Sequence, residues 1–268
     1  MVRDIQSAQN SWFKTFKHLI HNNRARKKEG IVVVEGLKEI QMALSSAYAL
    51  KYLVYCEQVI TNQELSKELN PVNLGDIDFY NLSPVLYKEV AYREDTLSAI
   101  AIFDLPEQEL TLESLIPNGY YLIAESVEKP GNLGAIFRTA EAVGMDAIIL
   151  CDERIDRFHP NVTRNSLGSN LLVPCISTTA DEIIQVLKRL NMPIYTTFMD
   201  EAISMYQANM KNGAAIVVGT EHEGLSDVWR DVGQNITIPM QGKMDSLNVS
   251  VASAVLMYEA FRQRQTLG

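Results

Sequence analysis

The stretch Ile236 to Gln265, ITIPMQGKMDSLNVSVASAVLMYEAFRQRQ, constrains the fold most: a short apolar run meets a polar loop that leads straight into a long helix. Ile236 to Pro239 reads as the end of a buried strand, and Met240 to Leu247 cannot extend it because Gly242, Asp245 and Ser246 favour turns. From Asn248 the periodicity is helical, with Ser246 or Asn248 supplying the N-cap oxygen. Val251, Val255 and Tyr258 fall on one face, and the small Ser250, Ser253 and Ala254 allow close packing. A strand end, a loop and a helix N-terminus bring backbone N–H groups beside a crevice, which predicts a site for a polar or anionic ligand. A capped surface helix fits the same spacing, so spacing alone does not choose between the two.

Upstream, the chain alternates helix and strand signals. Residues 1 to about 105 predict a helix over Asn10 to His21, a strand Ile31 to Val34 and a helix Leu37 to Leu44. Strands Tyr52 to Tyr55, Ile77 to Tyr80 and Leu97 to Phe103 follow, with helices Asn62 to Leu69 and Pro84 to Val90 between them. This is the pattern of a small α/β domain, residues 1–105. The acidic, Pro-containing stretch 106–118 reads as a linker, and a second domain spans 119–268. There, strand Tyr120 to Ala124, a helix ending near Gly144 and a second strand form a βαβ unit. Helix Asp181 to Leu190 and strands Ile194 to Phe198 and Ala214 to Val218 continue a parallel pattern.

Composition narrows the class. The 268 residues are 47% hydrophobic, enough for a substantial core, and no apolar run is long enough to span a bilayer or to form a signal peptide, so a cytoplasmic location is expected. Cys56, Cys151 and Cys175 are widely spaced in apolar strand-like settings and read as core thiols, and no metal site is assigned. The net charge of −9 argues against indiscriminate nucleic-acid binding. Yet residues 1–28 hold seven basic residues, Arg3, Lys14, Lys17, Arg24, Arg26, Lys27 and Lys28, against the single Asp4. That local balance of +6 makes the segment the expected start of any RNA contact.

Gly131-Asn132-Leu133-Gly134 lacks the spacing of a dinucleotide-binding loop, which leaves a nicotinamide-linked oxidoreductase without a fingerprint. The same run, with Glu125 at the strand end and Asn132 six residues before Arg138, resembles the first motif of the SpoU (TrmH) family, the knotted SPOUT-class RNA ribose 2′-O-methyltransferases. Gly219, Glu221 and Gly224 in GTEHEGLSDVW resemble the second motif, with His222 at a variable position, and IPM, SLNVSVA and YEAFRQR resemble the third. FHPNVTRNSLGSNLLVP, with Asn161, Arg164, Ser166 and Gly168, resembles the intervening family segment. The run NNRARKKEGIVVVEG, with Glu35 and Gly36, resembles an N-terminal substrate-binding domain similar to a ribosomal-protein RNA-binding fold. That domain's later signature is reduced here to Tyr92-Arg93-Glu94-Asp95-Thr96, without its Pro and Gly.

The resemblance implies an α/β chain: a small ribosomal-protein-like domain followed by an α/β-knot (trefoil knot) methyltransferase domain with a parallel sheet. It implies S-adenosylmethionine (S-adenosyl-L-methionine) as cofactor, held by main-chain groups of Gly219, Ile238 and Leu247 with Thr197, Met240 and Ser246 nearby. Arg138 is implied as the group that activates the 2′-hydroxyl, accompanied by Asn132, Glu221, Ser246 and Asn248. A guanidinium, with a pKa above about 12, is a poor general base, so a clamp on the adjacent phosphate is the preferred role. Arg164 is a further candidate phosphate contact beside Lys14, Lys17, Arg24, Arg26, Lys27 and Lys28. Ribosomal RNA is the first expected substrate and tRNA the second, and a homodimer that conceals the small-plus-apolar face of the last helix is expected. A non-catalytic RNA-binding or ribosome-assembly protein on the same fold is the alternative.

Overall fold

The computed structural model describes the chain except residues 70–73, 75–76, 93–97, 107–109, 221–222, 245 and 266–268. Glu221, His222 and most of the Tyr92-Arg93-Glu94-Asp95-Thr96 run therefore lie outside the described residues. The chain forms two compact units, Met1–Gln108 with Phe158–Leu172, and Glu109–Arg157 with Val173–Gly268.

The first unit holds a five-stranded sheet in the order β1-β4-β3-β5-β2, from Val2–Ile5 (β1), Ile31–Glu35 (β2), Ala49–Tyr55 (β3), Asp78–Leu82 (β4) and Ile100–Asp104 (β5). β5 runs antiparallel to β2 and β3, and the other pairs are parallel. The unbroken run Ile31-Val32-Val33-Val34 is buried on both faces. Alternation sends Ile31 and Val33 to a core with Phe13, Phe16 and Leu86, and Val32 and Val34 to a second core with Ile40, Leu65 and Leu171. The edge strand β1 has no expected counterpart, since VRDI carries too few apolar residues to announce itself.

The basic segment folds as two capped helices. Asn10 accepts from the Phe13 N–H at the start of Ser11–His21, and Asn22 accepts from the Ala25 N–H at the start of Asn23–Glu29, which Gly30 ends at φ 62°. This corrects one RNA-binding assignment. Arg26 is buried, and its Nη1 donates to the carbonyls of Leu19 and Ile20 at 2.9 and 2.7 Å, satisfying the last turn of the preceding helix. Its charge is used within the fold. Lys17 is paired with Glu89 at 2.6 Å, whereas Lys14, Arg24, Lys27 and Lys28 are exposed.

The stretch 158–172, expected within the second domain, packs in the first unit. Ser166 donates to the Thr163 carbonyl and to Asn170, and Asn170 donates to the Thr163 hydroxyl, in a fully buried polar cluster. Gly168, at φ +86°, has no room for a Cβ, which would stand 2.9 Å from the Met42 Cβ. Ser166 and Gly168 thus serve packing, while Arg164 is exposed.

The second unit is a seven-stranded sheet in the order β10-β12-β9-β11-β6-β7-β8. Its strands are Tyr120–Glu125 (β6), Ala147–Cys151 (β7), Cys175–Thr178 (β8), Ile194–Thr196 (β9), Ile203–Ser204 (β10), Ala214–Val218 (β11) and Gln234–Thr237 (β12). All its pairings are parallel. The chain moves outward from β6 through β7 to β8, returns to the other side at β9, and then places β11 between β9 and β6. Such a reversal leaves a crevice at the carboxyl ends of the strands. One face buries Tyr121, Ile123, Ile149 and Val217 against Ile183, Leu187 and the fully buried Trp229. The terminal helix Val249–Gln265 packs on helix Pro130–Val143 and against β11 and β6. Cys56, Cys151 and Cys175 are free and buried, and burial pushes the Cys151 thiol up.

Candidate active site

The carboxyl ends of β9, β11 and β12 and the start of the terminal helix enclose a chamber of about 440 Å³. Thr197, Gly219, Ile238, Met240, Ser246 and Leu247, taken from four separate segments, all line it. Apolar walls come from Val218, Ile236 and Leu256, and polar edges from the strand ends. Thr197 is fixed by donating its hydroxyl to the Val217 carbonyl at 3.1 Å, and Leu247 and Met240 are partly exposed at the mouth.

The floor depends on a close backbone approach. A Cβ on Gly219 would lie 2.1 Å from the Gly224 oxygen and 2.5 Å from the Leu225 nitrogen. Thr220 and Gly224 exchange N–H···O=C bonds of 2.9 and 3.2 Å, which close this turn. Glu125, at the end of β6, anchors the next segment: its buried carboxylate accepts from the Ser226 N–H and hydroxyl at 2.8 and 2.6 Å and from the Trp229 indole N–H at 3.0 Å. Three donors satisfy a carboxylate that would otherwise be costly to bury. The sequence places Glu125 at the strand end but hides this role, because its partners lie 101 and 104 residues away.

Asn248 caps the terminal helix. Its Oδ1 accepts from the Ser250 N–H at 2.9 Å and the Ser250 hydroxyl at 2.6 Å. Since a backbone N–H can only donate, the amide orientation is set, and Nδ2 is left to donate to the Asn132 Oδ1 at 3.3 Å. The first and third motifs therefore meet. Asn132 lies inside the first turn of Pro130–Val143, after the N-cap residue Lys129.

Arg138 lies elsewhere. Six residues turn a helix through about 600°, which leaves Arg138 about 120° around the axis from Asn132. It is exposed, has no hydrogen-bond or ion-pair partner among the described residues, and lines neither the chamber nor the cavity that holds Asn132. Asn132 and Arg138 therefore share the wall of neither cavity. Among the described residues no group of three His, Cys, Asp or Glu could hold a metal ion, and no helix is long and apolar enough to cross a membrane.

Comparison with known proteins accords with this arrangement. The model of the SpoU rRNA Methylase family matches residues 119–258, and that of the MRM3-like substrate binding domain matches residues 10–101. The chain is 38% identical over 233 residues to the 23S rRNA (guanosine-2′-O-)-methyltransferase RlmB of Bordetella pertussis, covering 86% of this chain and 91% of the relative. It is 27% identical over 258 residues to the 23S rRNA (guanosine(2553)-2′-O)-methyltransferase RlmP of Bacillus subtilis, covering 96% and 98%. The crystal structure of the AdoMet-bound rRNA methyltransferase from Sinorhizobium meliloti superposes with a TM-score of 0.83 at 25% identity, over 97% of this chain and 98% of that one. With a family model spanning residues 119–258, and relatives aligned along nearly the whole chain, this protein belongs to the SpoU rRNA methylase family.

Proposed function

We propose that the chain transfers a methyl group from S-adenosylmethionine to a ribose 2′-hydroxyl of ribosomal RNA, as a homodimer in the cytoplasm. The observation that carries the reading is the chamber itself, where the second and third motifs meet at the carboxyl ends of parallel strands and the first is joined to them through the Asn248–Asn132 hydrogen bond. Its residues suit the cofactor: apolar walls for an adenosine, main-chain edges at Gly219, Ile238 and Leu247, and a tight turn under Gly219. S-adenosylmethionine supplies an electrophilic sulfonium methyl. The chain's own residues position the acceptor. Asn248, with its amide locked by Ser250, and its partner Asn132 present a fixed polar pair beside the chamber, and Ser246 at the mouth reaches the ribose. Glu221 completes this set by its place in the second motif.

Arg138 acts as a clamp on the phosphate next to the acceptor, a role supported by its exposure and by a guanidinium that holds no ion pair among the described residues. Holding a phosphate orients the ribose and needs no proton transfer by a guanidinium. The exposed Lys14, Arg24, Lys27 and Lys28, with Arg164 in the same compact unit, supply the sequence-independent RNA contacts, and the paired Lys17 adds to them. The trefoil knot is part of this reading, supported by the match of residues 119–258 to the SpoU family model.

The decisive assay incubates the protein with methyl-tritiated S-adenosylmethionine and unmodified large-subunit ribosomal RNA. Label in alkali-resistant dinucleotides is the expected result. RNA binding without any incorporation would favour the assembly-protein alternative and sink the enzyme reading.

The homodimer rests on the free face of the terminal helix. Val249, Ser253, Leu256, Met257 and Ala260 face inward, while Val251 and Tyr258 are 48% and 52% exposed, beside a shallow groove that includes Tyr206, Val255 and Phe261. An apolar, Tyr-rich face of this kind is what an isologous interface conceals. Light scattering should give twice the 30.1 kDa chain mass at micromolar concentration, and Tyr258→Glu should shift it toward the monomer. A single-chain mass for the wild type would refute the dimer.

A further inference from the structure

Beside the chamber lies a second cavity of about 180 Å³, whose wall includes Glu128, Asn132 and Arg154 and shares Thr220, Glu223 and Val249 with the chamber. It is smaller than the volumes typical of cofactor sites and suits a single nucleobase. Asn132, which joins Asn248 at the chamber edge, stands in this wall, so a ribose held at that pair would direct its base into the cavity.

The wall carries an ion pair that the fold does not require. Glu128, after β6, and Arg154, after β7, bond through Oε1 and Nη1, and their side chains are 55% and 53% exposed. An exposed pair contributes little to stability. What it offers instead is a preformed edge. Among the described residues, Glu128 Oε2 and the Nε and Nη2 of Arg154 have no other partner. This edge sets a carboxylate acceptor beside guanidinium donors.

We propose that Glu128 and Arg154 read the base of the acceptor nucleotide, and that the base is guanine; the proposal rests on the ribose-methylation reading above. Guanine is the RNA base that presents two adjacent N–H donors, N1 and N2, next to an acceptor, O6. The carboxylate takes both donors and the guanidinium takes O6. Adenine, cytosine and uracil each turn a ring or carbonyl acceptor toward one of those positions, which sets a lone pair against the carboxylate that the inserted base would cover. A mismatched polar group discriminates more strongly than a missing contact.

The test uses the full chain, methyl-tritiated S-adenosylmethionine and transcripts of large-subunit ribosomal RNA, with the labelled RNA digested to nucleosides. The label is expected in 2′-O-methylguanosine. Glu128→Gln and Arg154→Ala should each lower kcat/KM on that transcript about tenfold or more, leaving S-adenosylhomocysteine affinity unchanged. They should also shrink the preference over a transcript carrying adenine at the same position. That ratio does not depend on the amount of folded enzyme, so it decides even if a variant loses stability. Label in another methylated nucleoside, or full retention of rate and preference by both variants, overturns the assignment while leaving the methylation reading intact. No label in any RNA overturns the methylation reading and this inference with it.

Discussion

Gly219→Ala should abolish S-adenosylhomocysteine binding, seen as loss of the ligand-induced rise in melting temperature, and should lower the melting temperature of the free protein as well. The added Cβ would meet the Gly224 oxygen at 2.1 Å, its carbonyl carbon at 2.2 Å and the Leu225 nitrogen at 2.5 Å. All three are backbone atoms, and none can give way cheaply. The Thr220–Gly224 bonds fix the turn on one side, and the Glu125 carboxylate fixes Ser226 on the other. Overpacking of this kind costs about 1–3 kcal/mol or more in a well-packed site, and relief by opening the turn would displace one wall of the chamber. Gly219 is not one of the positive-φ glycines, so close approach alone demands glycine there. Gly224 supplies the contrast. It sits at φ +70° with open space around the Cβ position, so Gly224→Ala should cost only about 1–2 kcal/mol of backbone strain and retain most of the ligand response. Equal S-adenosylhomocysteine affinity in Gly219→Ala and wild type would remove the 219–225 turn from the cofactor site.

That contrast shows which features can be read from sequence. The apolar run AAIVV fixes β11 locally, and the expected strand end at Ile236 overlaps β12, which begins two residues earlier at Gln234 and stops at Thr237. A polar loop must leave a buried strand at its carboxyl end, so the residues just beyond the strands, Gly219 and Ile238, fall at the chamber without knowledge of the rest of the fold. Asn248 is legible for the same reason, as a cap residue ahead of a helical period. Features that depend on distant partners are not legible. Nothing near Glu125 announces Ser226 and Trp229, and nothing in RARKK distinguishes Arg26, which turns back to cap the preceding helix, from Lys27 and Lys28, which face solvent. The packing of 158–172 with the first unit is equally hidden, since the segment's own pattern is compatible with either neighbour.

Arg138 is the sharpest case, because its motif position and its geometry pull apart: the motif position predicts the loss of activity in its variants, and the geometry predicts that fold and cofactor binding survive. Arg138→Ala should abolish methyl transfer while leaving melting temperature and S-adenosylhomocysteine affinity unchanged. The side chain is exposed, has no partner among the described residues to lose, and lies outside the chamber's lining, so neither fold nor cofactor site depends on it. Arg138→Lys then separates a clamp from a base. Lysine keeps the positive charge but loses the planar fork that grips a phosphate, and its lower pKa makes it the better proton acceptor. As a clamp, the lysine variant should stay impaired at every pH, by roughly 3 kcal/mol or more, about a hundredfold in rate. Activity that climbs steeply as pH approaches 10 would instead identify the position as a base, since the neutral amine becomes populated only there. Near-normal turnover in Arg138→Ala would exclude the residue from the mechanism and leave the Asn132–Asn248 pair to position the acceptor alone.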